Sequence, residues 1–307
     1  MNLSFTIGIC AYNEEKNIGR LLNNLIHQKL NKKFRLDKIE VIASGCTDRT
    51  EEITRNLAKK HKKIKLSVEE ERRGKASAVN ILIRNCNSSI LILESADTLP
   101  AKGAINKMLI PFLDSNVGAV GVRPVPIDDW NHFTGFTVHM IWNLLHRMSE
   151  AGDVKLGELC AYRRKLIKEM PLESATDEAY LQGLVEKTSF KIVYEPKALV
   201  YNKGPSTLHD LIKQRRRIYY GHMQLRKNFG YITPTMKVDK IFYSLIFKAT
   251  HEIYLKKIIF ITLAVFLEAY CRFLAKIDFL RKKPYAKWEI VRTSKTKMVE
   301  DYDKTKF

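Results

Sequence analysis

The sequence predicts an α/β fold: a mainly parallel sheet flanked by helices. Two observations carry that reading. Short apolar runs recur through the first two thirds of the chain, most of them separated by stretches with helical spacing. Charged residues gather where those runs end, and strand ends are where open α/β sheets bind ligands. The run Ile90-Leu91-Ile92-Leu93 shows both features. It ends at once in Glu94-Ser95-Ala96-Asp97-Thr98-Leu99-Pro100, which favours a buried strand over a helix fragment. Glu94 and Asp97 are candidates to hold a divalent cation against a diphosphate, since hard cations take carboxylate and phosphate oxygens. Asp97 or Thr98 equally suits the cap of a following helix.

Taken in order, residues 5–11 form a buried strand and Tyr12-Asn13-Glu14-Glu15 a polar turn. A helix is expected over 16–30, because Ile18, Leu21, Leu22, Leu25 and Ile26 share one face. Residues 39–43 are the next strand, followed by the turn Ser44-Gly45-Cys46-Thr47-Asp48-Arg49-Thr50. Thr50-Glu51-Glu52 opens a helix to about residue 60, and 64–68 is a strand. Arg72-Arg73-Gly74-Lys75 opens a helix carrying Ala78, Val79, Leu82 and Ile83. After the strand at 90–93 come a helix over 104–113 and a strand over 119–122. Beyond Arg123 the alternation breaks. A long helix is expected over 133–148, a short apolar segment over 159–162 and a helix over 179–186. Strands follow at 190–194 and 198–201, then a basic helix over 207–227.

Charge is the unusual part of the composition. The chain carries +20, and residues 203–307 hold 23 Lys+Arg against 9 Asp+Glu, a surplus of +14. That asymmetry calls for a polyanionic partner: nucleic acid, anionic lipid or a phosphorylated substrate. The five cysteines are scattered without a Cys-x-x-Cys pair, which reads as reduced cytosolic thiols. A strand beginning near Ser4 leaves no room for a signal peptide. No recognisable nucleic-acid-binding motif accompanies the basic segment, so nucleic acid is not the expected partner.

The motifs, in order, resemble the family 2 glycosyltransferases with the GT-A nucleotide-sugar fold. The matching elements are Ala11-Tyr12-Asn13-Glu14-Glu15, the turn Ser44 to Thr50, Arg73-Gly74-Lys75-Ala76 with Asn80, and Ala96-Asp97-Thr98. They continue with residues 157–164, Thr176-Asp177-Glu178-Ala179-Tyr180-Leu181 and Gln214-Arg215-Arg216-Arg217. The likeness covers roughly residues 3–225. It implies a catalytic domain over 1–229 that moves a sugar, with inversion, from a UDP- or GDP-sugar to a glycan or lipid-linked hydroxyl. Donor contacts then fall to Ala11, Tyr12, Asn13, Glu14, Ser44, Asp48, Arg73, Gly74, Lys75, Ser95, Ala96, Gln214 and Arg217. Asp97 would meet a divalent metal, Mn²⁺ or Mg²⁺, and Asp177 or Glu178 would be the catalytic base.

Four departures mark this chain. Ser95 stands where the family's first metal-site aspartate would be, and Glu94 is one residue off, facing the other side of a strand. Ser44 replaces the turn's leading aspartate. Ile218 follows Arg217 where processive members carry Trp, which implies single-residue transfer. The acid pair runs Asp177-Glu178: alignment on Leu181 selects Glu178 as the base, side-chain identity Asp177. Plain structural roles compete throughout. Asn13-Glu14 suits a helix cap, Asp48 a turn, and Arg73-Gly74-Lys75 a solvated turn. His139, His146 and His222 suit packing, and Arg215 to Arg217 a solvated or lipid-facing surface. The rival functions are a nucleotidyltransferase with a similar sheet and a nucleic-acid-binding protein using the basic last third.

Residues 230–307 form a basic, apolar extension. The uncharged run 258–267 is about half the roughly 20 residues a span needs before Glu268 and Arg272 interrupt it. Two amphipathic helices, over 241–254 and from 258 onward, are expected to lie on an anionic leaflet at the cytoplasmic face. Helices packed on the catalytic domain and a single short span are the alternatives.

Overall fold

The computed structural model describes residues 2–236, 255–285 and 287. The expected helix over 241–254 and the tail after 287 lie outside them. The described strands form one eight-stranded sheet in the order β3-β2-β1-β4-β7-β6-β8-β5. Its strands are β1 (Leu3–Ala11), β2 (Phe34–Ser44), β3 (Ile64–Glu69), β4 (Ile90–Ser95), β5 (Leu99–Pro100), β6 (Val117–Pro126), β7 (Leu159–Arg163) and β8 (Lys191–Asn202). Helices α1 (Ile18–Ile26), α2 (Thr50–Lys60), α3 (Lys75–Asn85) and α4 (Ala104–Leu109) fall between the early strands. Then come α5 (Phe133–Glu150), α6 (Asp177–Glu186), α7 (Leu208–Phe229) and α8 (Leu255–Leu280).

The four strands β3-β2-β1-β4 are parallel, as the alternating pattern requires. Past β4 the sheet is mixed: β7 runs antiparallel to both β4 and β6, and β8 is parallel to β6. A short strand buried on both faces carries no direction in its sequence, which is why 159–162 gave only an apolar segment. The two strands expected at 190–194 and 198–201 are one. Val122 pairs with Glu195 and the next residue, Arg123, with Leu199, so the residues around Pro196 bulge out of register. Proline has no N–H to give the ladder, and a bulge accommodates it. Pro111 acts similarly, ending α4 early in a 3₁₀ turn over Ile110–Leu113.

Alternate residues of β1 and β4 feed two cores. Phe5, Ile7, Ile9, Ile90 and Ile92 pack with Leu21, Leu22 and Leu25 of α1 on one face. Leu91 and Leu93 pack with Val79 and Leu82 of α3 and Leu181 of α6 on the other. A side chain at Gly8 would lie 2.7 Å from Leu82, so the close seating of α3 on β1 depends on that glycine. The depth of this packing fixes where the strands end, and the strand ends carry the chemistry.

Helix α8 packs against α7. Leu267, Cys271 and Ala275 join Val138, Leu211 and Tyr219 in a separate core. Arg215 donates from Nε and Nη2 to Glu268 at 2.6 and 3.0 Å, and Arg216 is bonded to Asp278. The outer face is apolar and open: Phe266 is 69% and Phe273 60% exposed. Within Lys257–Leu280 an 18-residue window reaches mean hydropathy 2.0, and the helix is long and apolar enough to cross a membrane. Glu268 and Arg272, which interrupt the run in the sequence, are bonded to Arg215 and to the Thr235 carbonyl, and Asp278 further along is bonded to Arg216.

Candidate active site

Strand β1 lies between β2 and β4, so the segments after Ala11, Ser44 and Ser95 leave the sheet side by side. They open into a cavity of about 1170 Å³. Ala11, Tyr12, Glu14, Ser44 and Gly74 line one part of it. The Arg72 guanidinium lies 4.3 Å over the Tyr12 ring. Gly45, at φ +62°, lets the β2 turn pass Arg72, because a Cβ there would sit 2.4 Å from the Arg72 nitrogen. Ser44 is buried, and its hydroxyl has no partner among the described residues.

Three of the residues expected at this end are not in the wall. Asn13, at φ +53°, ties two loops together: its Oδ1 accepts from the Thr47 N–H at 2.8 Å and its Nδ2 donates to Thr47 Oγ1 at 3.0 Å. Asp48 accepts from the N–H groups of Glu15 and Thr50, each at 3.0 Å. Burial works against its charge, but these bonds and the Thr50 hydroxyl hold it below the usual carboxylate range. Both side chains shape the turns that carry the wall. Arg73 also lies outside the lining, and its neighbour Arg72 takes the inward place.

Ser95, Ala96, Asp97 and Glu158 line the same cavity. Neither Asp97 nor Thr98 caps α4, whose N-cap is Gly103. Glu94 is buried and bonded to the Thr98 hydroxyl, as its place on the other side of the strand requires. Glu158 lies in the matching element 157–164, where the sequence assigns it no role. It precedes β7, whose antiparallel pairing sets Leu159 opposite Glu94. The Ser95 hydroxyl donates to Glu158 Oε2 at 3.0 Å. Burial, then the charges of Asp97 and Glu178, push the Glu158 carboxyl up to about 7. Among the described residues no three His, Cys, Asp or Glu side chains cluster closely enough to hold a metal alone. Two carboxylates and a hydroxyl facing a cavity nevertheless fit a Mg²⁺- or Mn²⁺-type cation that completes its oxygen shell with substrate phosphates.

The acid pair sits at the first turn of α6, facing the first residue of α3. Lys75 Nζ lies 2.9 Å from Asp177 Oδ2 and 2.9 Å from Glu178 Oε1. Burial disfavours the Lys75 ammonium, but the two carboxylates hold it protonated well above its ordinary range. Within the pair, burial and the charge of Glu178 push Asp177 up, to about 6. Burial opposes ionisation of Glu178 as well, yet Lys75 and hydrogen bonding hold it down, at about 2. Gln214 and Arg217 reach the same cavity from α7, with Arg217 Nη1 donating to the Ala175 carbonyl at 2.9 Å. Trp142 of α5, which the sequence also left unassigned, closes the wall against Gly157.

Thirteen of the sixteen expected site residues thus converge on one cavity lined by carboxylates and cations. Residues 3–221 match the model described as Glycosyltransferase like family 2. Poly-beta-1,6-N-acetyl-D-glucosamine synthase of Staphylococcus aureus is 26% identical over 247 residues. The alignment covers 76% of this chain and 58% of that protein, so the chain spans little more than half the length of the curated relatives it matches. Among solved structures, the mannosyltransferase PcManGT from Pyrobaculum calidifontis, in complex with GDP-Man and Mn²⁺, has a TM-score of 0.66 at 20% identity, covering 92% of this chain and 88% of that one. S. aureus TarS 1-349 in complex with UDP-GlcNAc has a TM-score of 0.52 at 16% identity, covering 93% of each chain. Both share the fold seen here. With the family match spanning well over half its length, the chain belongs to the Glycosyltransferase like family 2.

Proposed function

We propose that this protein transfers a sugar, with inversion, from a UDP- or GDP-sugar to a hydroxyl of a lipid-linked acceptor at the cytoplasmic face of a membrane. The observation that carries the reading is the Lys75–Asp177–Glu178 cluster, which opens into the same cavity as Tyr12 and Asp97. Tyr12, Glu14 and Ser44 bind the nucleoside, and Asn13, Asp48 and Arg73 act around that end. Gly74, Lys75, Gln214 and Arg217 serve the diphosphate, cations being the residues that recognise phosphate oxygens. Asp97 and Glu158 would hold Mn²⁺ or Mg²⁺, with Ser95 and Ala96 beside it. The cation, when bound, neutralises charge on the leaving diphosphate.

Asp177 is the better base of the pair. A general base works best when its pKa lies near the working pH, and Asp177 is the carboxyl pushed upward. Glu178, held down by Lys75, stays charged and keeps the ammonium in place. Asp177 takes the acceptor proton, and the oxygen attacks the anomeric carbon from the face opposite the diphosphate. One displacement inverts the anomeric centre. Ile218 next to Arg217 supports addition of a single sugar residue.

The membrane part rests on α8. Its inner face is bonded to α7, its outer face is mostly apolar, Lys257 and Lys276 lie near its ends, and Arg281 to Lys283 follow it. A helix so placed lies in the lipid interface with basic residues toward anionic headgroups. The odd, scattered cysteines suit the cytoplasmic side.

Transfer assays on Asp177→Asn and Glu178→Gln test the mechanism. Asp177→Asn should lose roughly 10²–10⁴-fold in kcat, the size expected for a general base, with donor binding kept. The nucleotide product should be a nucleoside diphosphate, not pyrophosphate, and NMR of the product should show the inverted anomer. Near-wild-type turnover in both variants would remove this cluster from the reaction.

A further inference from the structure

The part of the cavity bounded by α5, α7 and α8 contains polar groups that sugar transfer does not use. His222 is 1% exposed, lines the cavity, and its Nε2 has no hydrogen-bond partner among the described residues. Its Nδ1 lies 3.4 Å from the Thr235 hydroxyl. Thr176, buried in the same wall against Gly221, also has an unpartnered hydroxyl. Lys155, Arg215, Arg217 and Arg272 line the same cavity, and their charges all act on His222. Arg215 is spent on Glu268, which Arg272 also faces. Arg272 donates to the Thr235 carbonyl at 3.2 Å and lies 4.5 Å over the Tyr219 ring, leaving further N–H groups of its fork. Lys155 donates to the carbonyl of its own neighbour Leu156 at 3.1 Å, and the charges of Glu178 and Glu158 act on it.

We infer that this end of the cavity binds a phosphate group carried by the acceptor, held by Lys155, Arg272 and His222. The inference rests on the acceptor reading above and names its chemistry. A buried neutral imidazole with an unpaired nitrogen is destabilising unless a ligand meets it. A phosphate does so: its oxygens accept from the imidazole N–H, the ammonium and the guanidinium fork together. The surrounding wall says what bears the phosphate. Ile141 and Leu145 of α5 and Val265 and Leu274 of α8 line the same cavity, and α8 carries apolar side chains such as Phe266 and Phe273 on its open face. An acceptor with a phosphate at His222 and a hydrocarbon chain along α8 satisfies both halves of this surface. Lys155, on which the charge of Glu178 acts, would link the phosphate site to the acid pair.

The test uses the full-length protein in detergent micelles, with EDTA and no nucleotide, titrated calorimetrically with geranyl phosphate, geraniol and inorganic phosphate. Geranyl phosphate should bind, and Lys155→Met and Arg272→Gln should each weaken it at least tenfold. Binding of nucleoside diphosphate with Mn²⁺, measured separately on the same variants, should stay within twofold and so report an intact fold. Geranyl phosphate binding at least tenfold more tightly than inorganic phosphate supports a lipid-borne phosphate; equal affinities overturn the lipid assignment. Geraniol binding as tightly as geranyl phosphate, or unchanged affinity in both variants, overturns the phosphate site. Because geranyl phosphate is titrated without donor, its result does not depend on the donor reading.

Discussion

Lys75→Met is the perturbation with the clearest consequences. Lys75 is the first residue of α3 and the shared partner of two acids on α6. At 2.9 Å and an effective dielectric of about 20, each contact has a gross attraction of roughly 6 kcal/mol. Desolvation offsets much of that, and removing one member of such a buried set typically costs about 3–5 kcal/mol. At a few degrees per kcal/mol for a chain of this size, the melting temperature should fall by about 10 °C. The chemistry should change in a stated direction too. Lys75 lowers both carboxyls, so without it both pKa values rise and the base is ionised only at higher pH. The acid limb of the wild-type rate profile should lie near pH 6, with activity rising as pH rises through it; in Lys75→Met it should move up by at least one unit. Lys75→Arg, which keeps the charge, should restore part of both effects. Differential scanning fluorimetry and a pH series of kcat/KM measure them. A melting temperature within about 2 °C of wild type, together with an unmoved acid limb, would refute the reasoning.

Two further outcomes are expected. Asp97→Asn and Glu158→Gln should each weaken Mn²⁺-dependent binding of nucleoside diphosphate at least tenfold by calorimetry; unchanged metal dependence in Asp97→Asn would reduce that residue to a loop carboxylate. The full-length protein should pellet with anionic vesicles and be released in part by high salt or carbonate, because headgroup attraction is screened while hydrocarbon burial is not. Complete retention after carbonate would identify α8 as a span, and no binding at low salt would leave it a helix packed on its own domain.

The parts of this architecture that could be read in advance are those with local causes. Lys75 and Asp97 stand out because a strand or turn delivers each of them to a place where ligands bind. Asp177 and Glu178 open a helix, and their types suit acid-base work. Glu158 has no such signature. Its place depends on β7 entering the sheet antiparallel to β4, a non-local pairing that no window of sequence contains. Asn13 and Asp48 show the reverse difficulty: the residue types that contact a nucleotide are also those that build turns, and here they do the second visibly. His222 and Lys155 gain meaning only from neighbours on three different elements. Arg72 and Arg73 differ by one position, and which of them faces inward is settled by the packing of Arg72 on Tyr12.

The same logic of long-range pairing governs α8, where the sequence reads as an interrupted apolar run. Glu268 and Asp278 look like defects in a membrane helix until their partners are seen. Arg215 and Glu268 are only 12% and 18% exposed at the side chain, and Tyr219 is bonded to the same carboxylate. Spending both acids inward leaves the outer face of α8 apolar and closes the cavity with Val265, Ala269 and Leu274. Residues 1–229 are therefore expected to depend on α8 for part of their stability, even though the family match ends at residue 221. Glu268→Gln isolates this dependence without removing the helix. It leaves Arg215 buried without its counter-charge, at a cost of about 3–5 kcal/mol. The variant should unfold at a temperature several degrees lower, and α8 should become the first site cut in limited proteolysis. Wild-type melting and an unchanged cleavage pattern would mean that hydrophobic contact alone, through Leu267, Cys271 and Ala275, holds α8 in place.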